Sequence, residues 1–202
     1  MGGVAAICEE FQYMHQGIDQ ADSYVVNPHK WLLVNMDCSC LFIKNRNCLI
    51  NALNIMPDYL KNKTSEASQA IDYYHWQVPL GRRFRSLKLW SVLRYYGIEG
   101  LQAYLRNHIQ LTQQFLAYLE SDDKFEIVAP VPMNLICFRV KSSDAINQRL
   151  LKWLNDSGEM LLTHTRLKGR FVLRFCVGQS YTEARHIEKA WHSLKKAVHQ
   201  CC

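Results

Sequence analysis

The chain has 202 residues, 49% of them apolar and 21% charged, with a formal charge of +6. That apolar content suits one large domain or parts of two, and is too high for a disordered chain. The mild positive excess fits an anionic small molecule as well as a nucleic acid and selects neither, and no run reaches the roughly 18 apolar residues of a membrane span.

At the N-terminus, "MGGVAAICEEF" has neither a basic stretch nor a long apolar run, so no secretory signal is expected. Eight cysteines occur, none in a C-x-x-C pair; Cys38 and Cys40 form a C-x-C and the chain ends in Cys201-Cys202. Without a secretory signal, reduced thiols and a cytoplasmic location are the expectation. No metal site is expected, because closed zinc sites use paired ligands at short spacing.

Residues 27–31 read "NPHKW" and set Lys30 beside His29, after Pro28 and before Trp31. A neutral lysine is a nucleophile, and as a Schiff base it can hold pyridoxal phosphate. A neighbouring histidine can donate a hydrogen bond to a phosphate. Taken alone, the pentapeptide also reads as a solvated lysine at a strand end. The run that follows, "WLLVNMDCSCLFIK" (31–44), is apolar between polar flanks and predicts a buried strand, a turn and a second strand. Residues 54–77 are polar and irregular, the longest loop-like stretch, and long loops in compact domains are commonly functional.

"PLGRRFRSLKLW" leads into a helix. From Ile98 the apolar positions 98, 101, 105, 109, 112, 115 and 119 have helical spacing with one buried face. "FEIVAP" and "NLICFRV" predict strands. Ser143-Asp144 cap a helix carrying Ile146, Leu150, Trp153 and Leu154 that stops at Gly158. "GRFVLRFCV" alternates arginine with apolar residues, as a strand with one wet face does. Thr182 starts a last helix with Ala184, Ile187, Trp191, Leu194 and Val198 inward and Lys195 and Lys196 in its final turn. Residues 120–202 therefore read strand, strand, helix, strand, helix, a small α+β unit, and the part before about 88 reads as the tail of a larger α/β domain.

The stretch "ADSYVVNPHKWLLVNMDCSCLFIK" resembles the cofactor-lysine region of the group II pyridoxal-phosphate amino acid decarboxylases, and the likeness continues through "DYLKNK", "HWQVPLGRRFRSLKLW", "FEIVAPVPMNLICFRV" and "GRFVLRFCVG". The aromatic amino acid branch is the most similar. The resemblance implies fold type I of the pyridoxal-phosphate enzymes (α/β): residues 1–87 as the C-terminal part of the cofactor-binding large domain, and 88–202 as the small C-terminal α+β domain. It implies that Lys30 forms the Schiff base, that Asn27 and His29 face the cofactor phosphate, and that Tyr59 is the catalytic-loop tyrosine that returns a proton to carbon once CO2 has left. Gly81 matches a position that reaches the partner subunit's active site, so a homodimer is implied. Among plant relatives glycine there accompanies indolic substrates, although animal relatives with glycine take phenolic ones.

The expected function is decarboxylation of a tryptophan- or tyrosine-type amino acid to its amine. Three alternatives remain open at this point. One is an aromatic aldehyde synthase, which Tyr59 disfavours because relatives with that activity carry phenylalanine there. Another is a catalytically incomplete fragment that dimerises with a full-length relative. The third is a basic binding module built on Arg82, Arg83, Arg85 and Lys88, although no nucleic-acid or membrane partner is the expectation. The family aspartate that pairs with the pyridine nitrogen would lie before Met1, so Asp19 and Asp22 are not assigned that role. A chain cut through a large sheet is also expected to be poorly soluble.

Overall fold

The computed structural model describes residues 2–53 and 73–201. The chain divides into two compact units, Met1–Gly97 and Ile98–Cys202.

The first unit opens with short 3-10 segments, Gly2–Ile7, Glu9–His15 and Ile18–Gln20. Strand β1 (Ser23–Val26) pairs antiparallel with β2 (Cys40–Ile43), Ser23 opposite Ile43 and Val26 opposite Cys40. Between them lies a one-turn helix, α1 (Pro28–Trp31). This corrects the strand expected to begin at Trp31. Pro28 has a fixed φ and no N–H to donate, which suits the first helical position. Leu33 then takes a left-handed φ of 60°, which ends any extended run. Trp31, Leu32 and Val34 are buried all the same, together with Val4, Ala5, Cys8 and Cys38. A short apolar run thus marks burial but not strand geometry. The unit also holds α2 (Arg46–Leu53) and the 3-10 turn Tyr73–Trp76. Most of the expected loop at 54–77, Tyr59 included, lies outside the described residues. Val78, Leu80, Phe84, Trp90 and Tyr95 are large apolar side chains left exposed in this unit.

Helix α3 (Arg85–Glu120) is interrupted at Gly97, whose φ of 63° and ψ of 178° are not helical. Only glycine adopts such a conformation at little cost, and it is at this residue that the chain divides. The boundary expected at residue 87 falls inside the segment before the break.

The second unit is a four-stranded antiparallel sheet, β3 (Phe125–Ile127), β4 (Leu135–Val140), β5 (Thr163–Leu167) and β6 (Arg170–Cys176), in the order β3-β4-β6-β5. Ile136 pairs with Phe175 and Phe138 with Leu173. Their shared face packs against the part of α3 after Gly97, α4 (Asp144–Asp156) and α5 (Ala184–Cys201), through Phe115, Leu119, Leu150, Leu154, Ile187 and Leu194. Ser143 caps α4 as expected, its hydroxyl accepting from the Ile146 N–H.

Four expectations change. Strand β5 was not foreseen, because "THTRL" shows no apolar alternation. It forms a hairpin with β6 through Lys168 and Gly169, whose φ values of 50° and 78° give the two-residue turn that matches strand twist. Val172 on the expected wet face of β6 is fully buried. The buried stripe of α3 runs through Leu101, Leu105, His108, Thr112, Phe115 and Leu119, while Ile98 is exposed. In α5, Ala184 is exposed and Lys195 and Lys196 precede the last turn, whose basic residue is His199.

His108 is wholly buried, its ring 4.3 Å from that of Tyr104. Burial pushes the imidazole below its ordinary 6.5, against a weaker opposing effect from a hydrogen bond with the Gln179 backbone. The unfolded chain therefore binds this proton first as pH falls. The stability it contributes is intact above 6.5 and declines as pH drops through that value toward the folded pKa. Urea midpoints at pH 7.5 and 5.5 should fall on acidification, and His108→Gln should reduce the fall; an equal fall in both proteins would refute the assignment. Asp122 and Asp144, held down by Lys195 and by the Phe171 N–H respectively, contribute in a lower window, as pH falls below their ordinary 3.8.

Candidate functional site

The turn that carries Lys30 is fixed from inside and from one side. Its backbone closes through Lys30 N–H to the Asn27 carbonyl and Leu32 N–H to the Pro28 carbonyl, each 3.0 Å. Trp31, 1% exposed, anchors it in the core, and the adjacent Lys30 is exposed. Among the described residues the Lys30 ammonium has no ion pair and no hydrogen bond. An amine on a rigid support, unneutralised by a carboxylate, is what covalent attachment to a carbonyl requires.

The flanking residues are held by the segment just before β2. His29 Nδ1 lies 2.6 Å from the Cys38 carbonyl oxygen and 3.1 Å from the Cys38 nitrogen. The Ser39 hydroxyl donates to Asn27 Oδ1 at 2.6 Å. Antiparallel pairing of Val26 with Cys40 brings these two stretches together. On the other side of β1, the Tyr24 hydroxyl meets His15 Nε2 at 2.8 Å, so the strand leading into Asn27 is tied at both ends.

Asp37 accepts a hydrogen bond from Arg85 at 2.9 Å, which holds its carboxyl at about 2, and Lys88 stands 4.0 Å away. Two of the four cations in "GRRFRSLK" are thereby offset by one carboxylate, which thins the basic cluster considered for nucleic acid. Arg82 and Arg83 are exposed. Gly81 has open space around it among the described residues: an added methyl would meet nothing within 4 Å.

The structure thus brings Asn27, His29 and Lys30 into one turn. Tyr59 lies outside the described residues, and Gly81 stands in a separate segment of the same unit. Sequence reasoning missed Cys38 and Ser39 as supports. "CSC" was weighed as a metal or redox motif and as part of an apolar run, yet its contribution here is a backbone carbonyl, a backbone N–H and a hydroxyl. Among the described residues no group of three or more His, Cys, Asp or Glu could hold a metal ion, and no helix is long and apolar enough to cross a membrane.

Residues 1–141 match the family model described as the pyridoxal-dependent decarboxylase conserved domain. The chain is 48% identical over 200 residues to tryptophan decarboxylase 2 of Oryza sativa subsp. japonica, covering 96% of this chain and 40% of that protein. It is 47% identical over 193 residues to aromatic-L-amino-acid decarboxylase of Sus scrofa, again covering 96% of this chain and 40% of the relative. Its structure aligns with that of Oryza sativa TDC with PLP and tryptamine at a TM-score of 0.93 and 38% identity, over 98% of this chain and 43% of that one. The chain spans about two fifths of the length of these relatives, and its mixture of helices and sheets is a partial fold type I architecture. By sequence and by structure, this chain belongs to the pyridoxal-dependent decarboxylase family.

Proposed function

We propose that the chain is part of a pyridoxal-phosphate-dependent aromatic-L-amino-acid decarboxylase in which Lys30 is the point of cofactor attachment. The observation that carries this reading is the exposed amine of Lys30, unneutralised among the described residues, on a turn anchored by buried Trp31, with Asn27 and His29 fixed on the same turn. Such a turn fits the group. The amine can bond to the carbonyl, and two nitrogen-bearing side chains stand ready to donate to a phosphate. The names of the relatives support an aromatic substrate.

When bound, pyridoxal phosphate supplies an electron-withdrawing ring that takes up the electron pair left at carbon as CO2 departs. The chain's own residues do the rest. Lys30 holds the cofactor covalently and later displaces the amine product. His29 and Asn27 orient the phosphate, and with it the ring. Tyr59 returns the proton to the carbon that lost CO2, a phenol being able to do so where water is excluded. Gly81, with no side chain, leaves room for the substrate's aromatic group. The same reading includes a homodimer and a cytoplasmic location.

The test is direct. Pyridoxal phosphate is added to the chain, the linkage is reduced with borohydride, and the labelled peptide is mapped. Label confined to Lys30, followed by decarboxylation of tryptophan, tyrosine or phenylalanine, is the expected result. Label scattered over many lysines would overturn the assignment.

A further inference from the structure

Among the described residues, two side chains beside Lys30 are each held by one end only. Asn27 Oδ1 is taken up by the Ser39 hydroxyl at 2.6 Å. His29 Nδ1 is taken up by the Cys38 backbone, with the carbonyl oxygen at 2.6 Å and the nitrogen at 3.1 Å. An amide whose oxygen is occupied turns its NH2 to the opposite side. A histidine tied through Nδ1 leaves Nε2 as its outward atom. That atom is a donor in the tautomer whose Nδ1 accepts the Cys38 N–H, and an acceptor in the tautomer whose Nδ1–H donates to the Cys38 carbonyl. For Asn27 the outcome does not depend on that choice: its NH2 is an N–H donor on the same turn as the Lys30 ammonium, with the competing amide oxygen removed from the set. Had Asn27 been free to rotate, its amide would present oxygen to an anion for part of the time, which repels.

We infer that Ser39 is a positioning residue for the anionic end of the cofactor: by holding Asn27 Oδ1, it fixes the Asn27 NH2 as a donor beside Lys30 and His29. This rests on the cofactor reading above and assigns a task to a residue outside the "NPHKW" motif. Ser39 is exposed and contributes nothing to the core, so its replacement bears on the orientation of Asn27 rather than on folding.

The experiment compares binding of pyridoxal phosphate with that of pyridoxal, which lacks the phosphate. Both are followed by absorbance on the full chain, with the urea midpoint as a folding control. Ser39→Ala should weaken pyridoxal phosphate about 5- to 10-fold, the size of one ordinary hydrogen bond, and leave pyridoxal within about 2-fold. Ser39→Thr, which keeps the hydroxyl, should restore the difference. In an Asn27→Ala background Ser39→Ala should add nothing, because both act through one contact. Equal losses for the two ligands, or additive losses in the double variant, would overturn the positioning role while leaving Lys30 as the attachment point. Failure of the unmodified chain to label at Lys30 would instead overturn the cofactor reading, and the positioning role with it.

Discussion

Replacing Lys30 by alanine is expected to abolish the long-wavelength absorption of bound pyridoxal phosphate and to lower decarboxylation by roughly three orders of magnitude or more, the scale on which a covalent catalyst acts. Lys30→Ala should leave folding untouched, because the side chain is exposed and makes no ion pair among the described residues. Lys30→Arg is the more demanding comparison. It keeps the charge but not a nucleophilic amine, since a guanidinium stays protonated. If the proposal is right, the arginine variant keeps some affinity for the cofactor, through charge, and is still inactive. A Lys30→Ala protein that retained half its activity would remove Lys30 from the chemistry.

The second large effect concerns the second unit. Phe115 is 1% exposed, and its ring lies 3.9 Å from that of Phe175 and nearly parallel to it, at 14°. Its edges meet Phe138 and Trp191 at 6.2 Å and 6.4 Å. It therefore joins the helix after Gly97 to two strands and to α5. Phe115→Ala should cost about 3–5 kcal/mol, the sum of lost burial and an unfilled cavity. Phe115→Leu, which keeps most of the volume, should cost roughly 1 kcal/mol. Urea unfolding followed by tryptophan fluorescence checks both, with Trp153 and Trp191 as reporters in this unit. An alanine variant within 1 kcal/mol of the parent would mean that the aromatic cluster is not the centre of that core.

What could be read from the chain in advance was local and periodic. The helix from Leu101 to Leu119, the capped helix at Ser143 and the strands at Phe125 and Leu135 each carry their own signal, whether spacing, cap or alternation. Strand β5 carries none: "THTRL" is polar up to its last residue, Leu167, and only the Lys-Gly turn after it announces a hairpin. The pairing of Ser23–Val26 with Cys40–Ile43 was hidden by the more apolar run at Trp31, which is buried without being extended. For the candidate site, Lys30, His29 and Asn27 were legible because they share one motif with a known family. The supports were not, because the Cys38 carbonyl and N–H belong to the backbone and look the same under any side chain. The Asp37–Arg85 ion pair joins residues 48 apart in the chain, and nothing in either neighbourhood points to the other.

The braces on the Lys30 turn span very little chain. His29 meets Cys38 nine residues on, and Asn27 meets Ser39 twelve residues on. Closing so short a loop costs little entropy, and the cost rises only slowly with length. Contacts of this kind form early, before distant parts of a sheet can meet. The polar braces around the lysine thus come from one stretch of roughly a dozen residues, while buried Trp31 ties that stretch to the core of the unit. The hydrogen-exchange protection of that stretch should follow the Val26–Cys40 pairing, and a fold built around it could change its remoter walls without disturbing the amine.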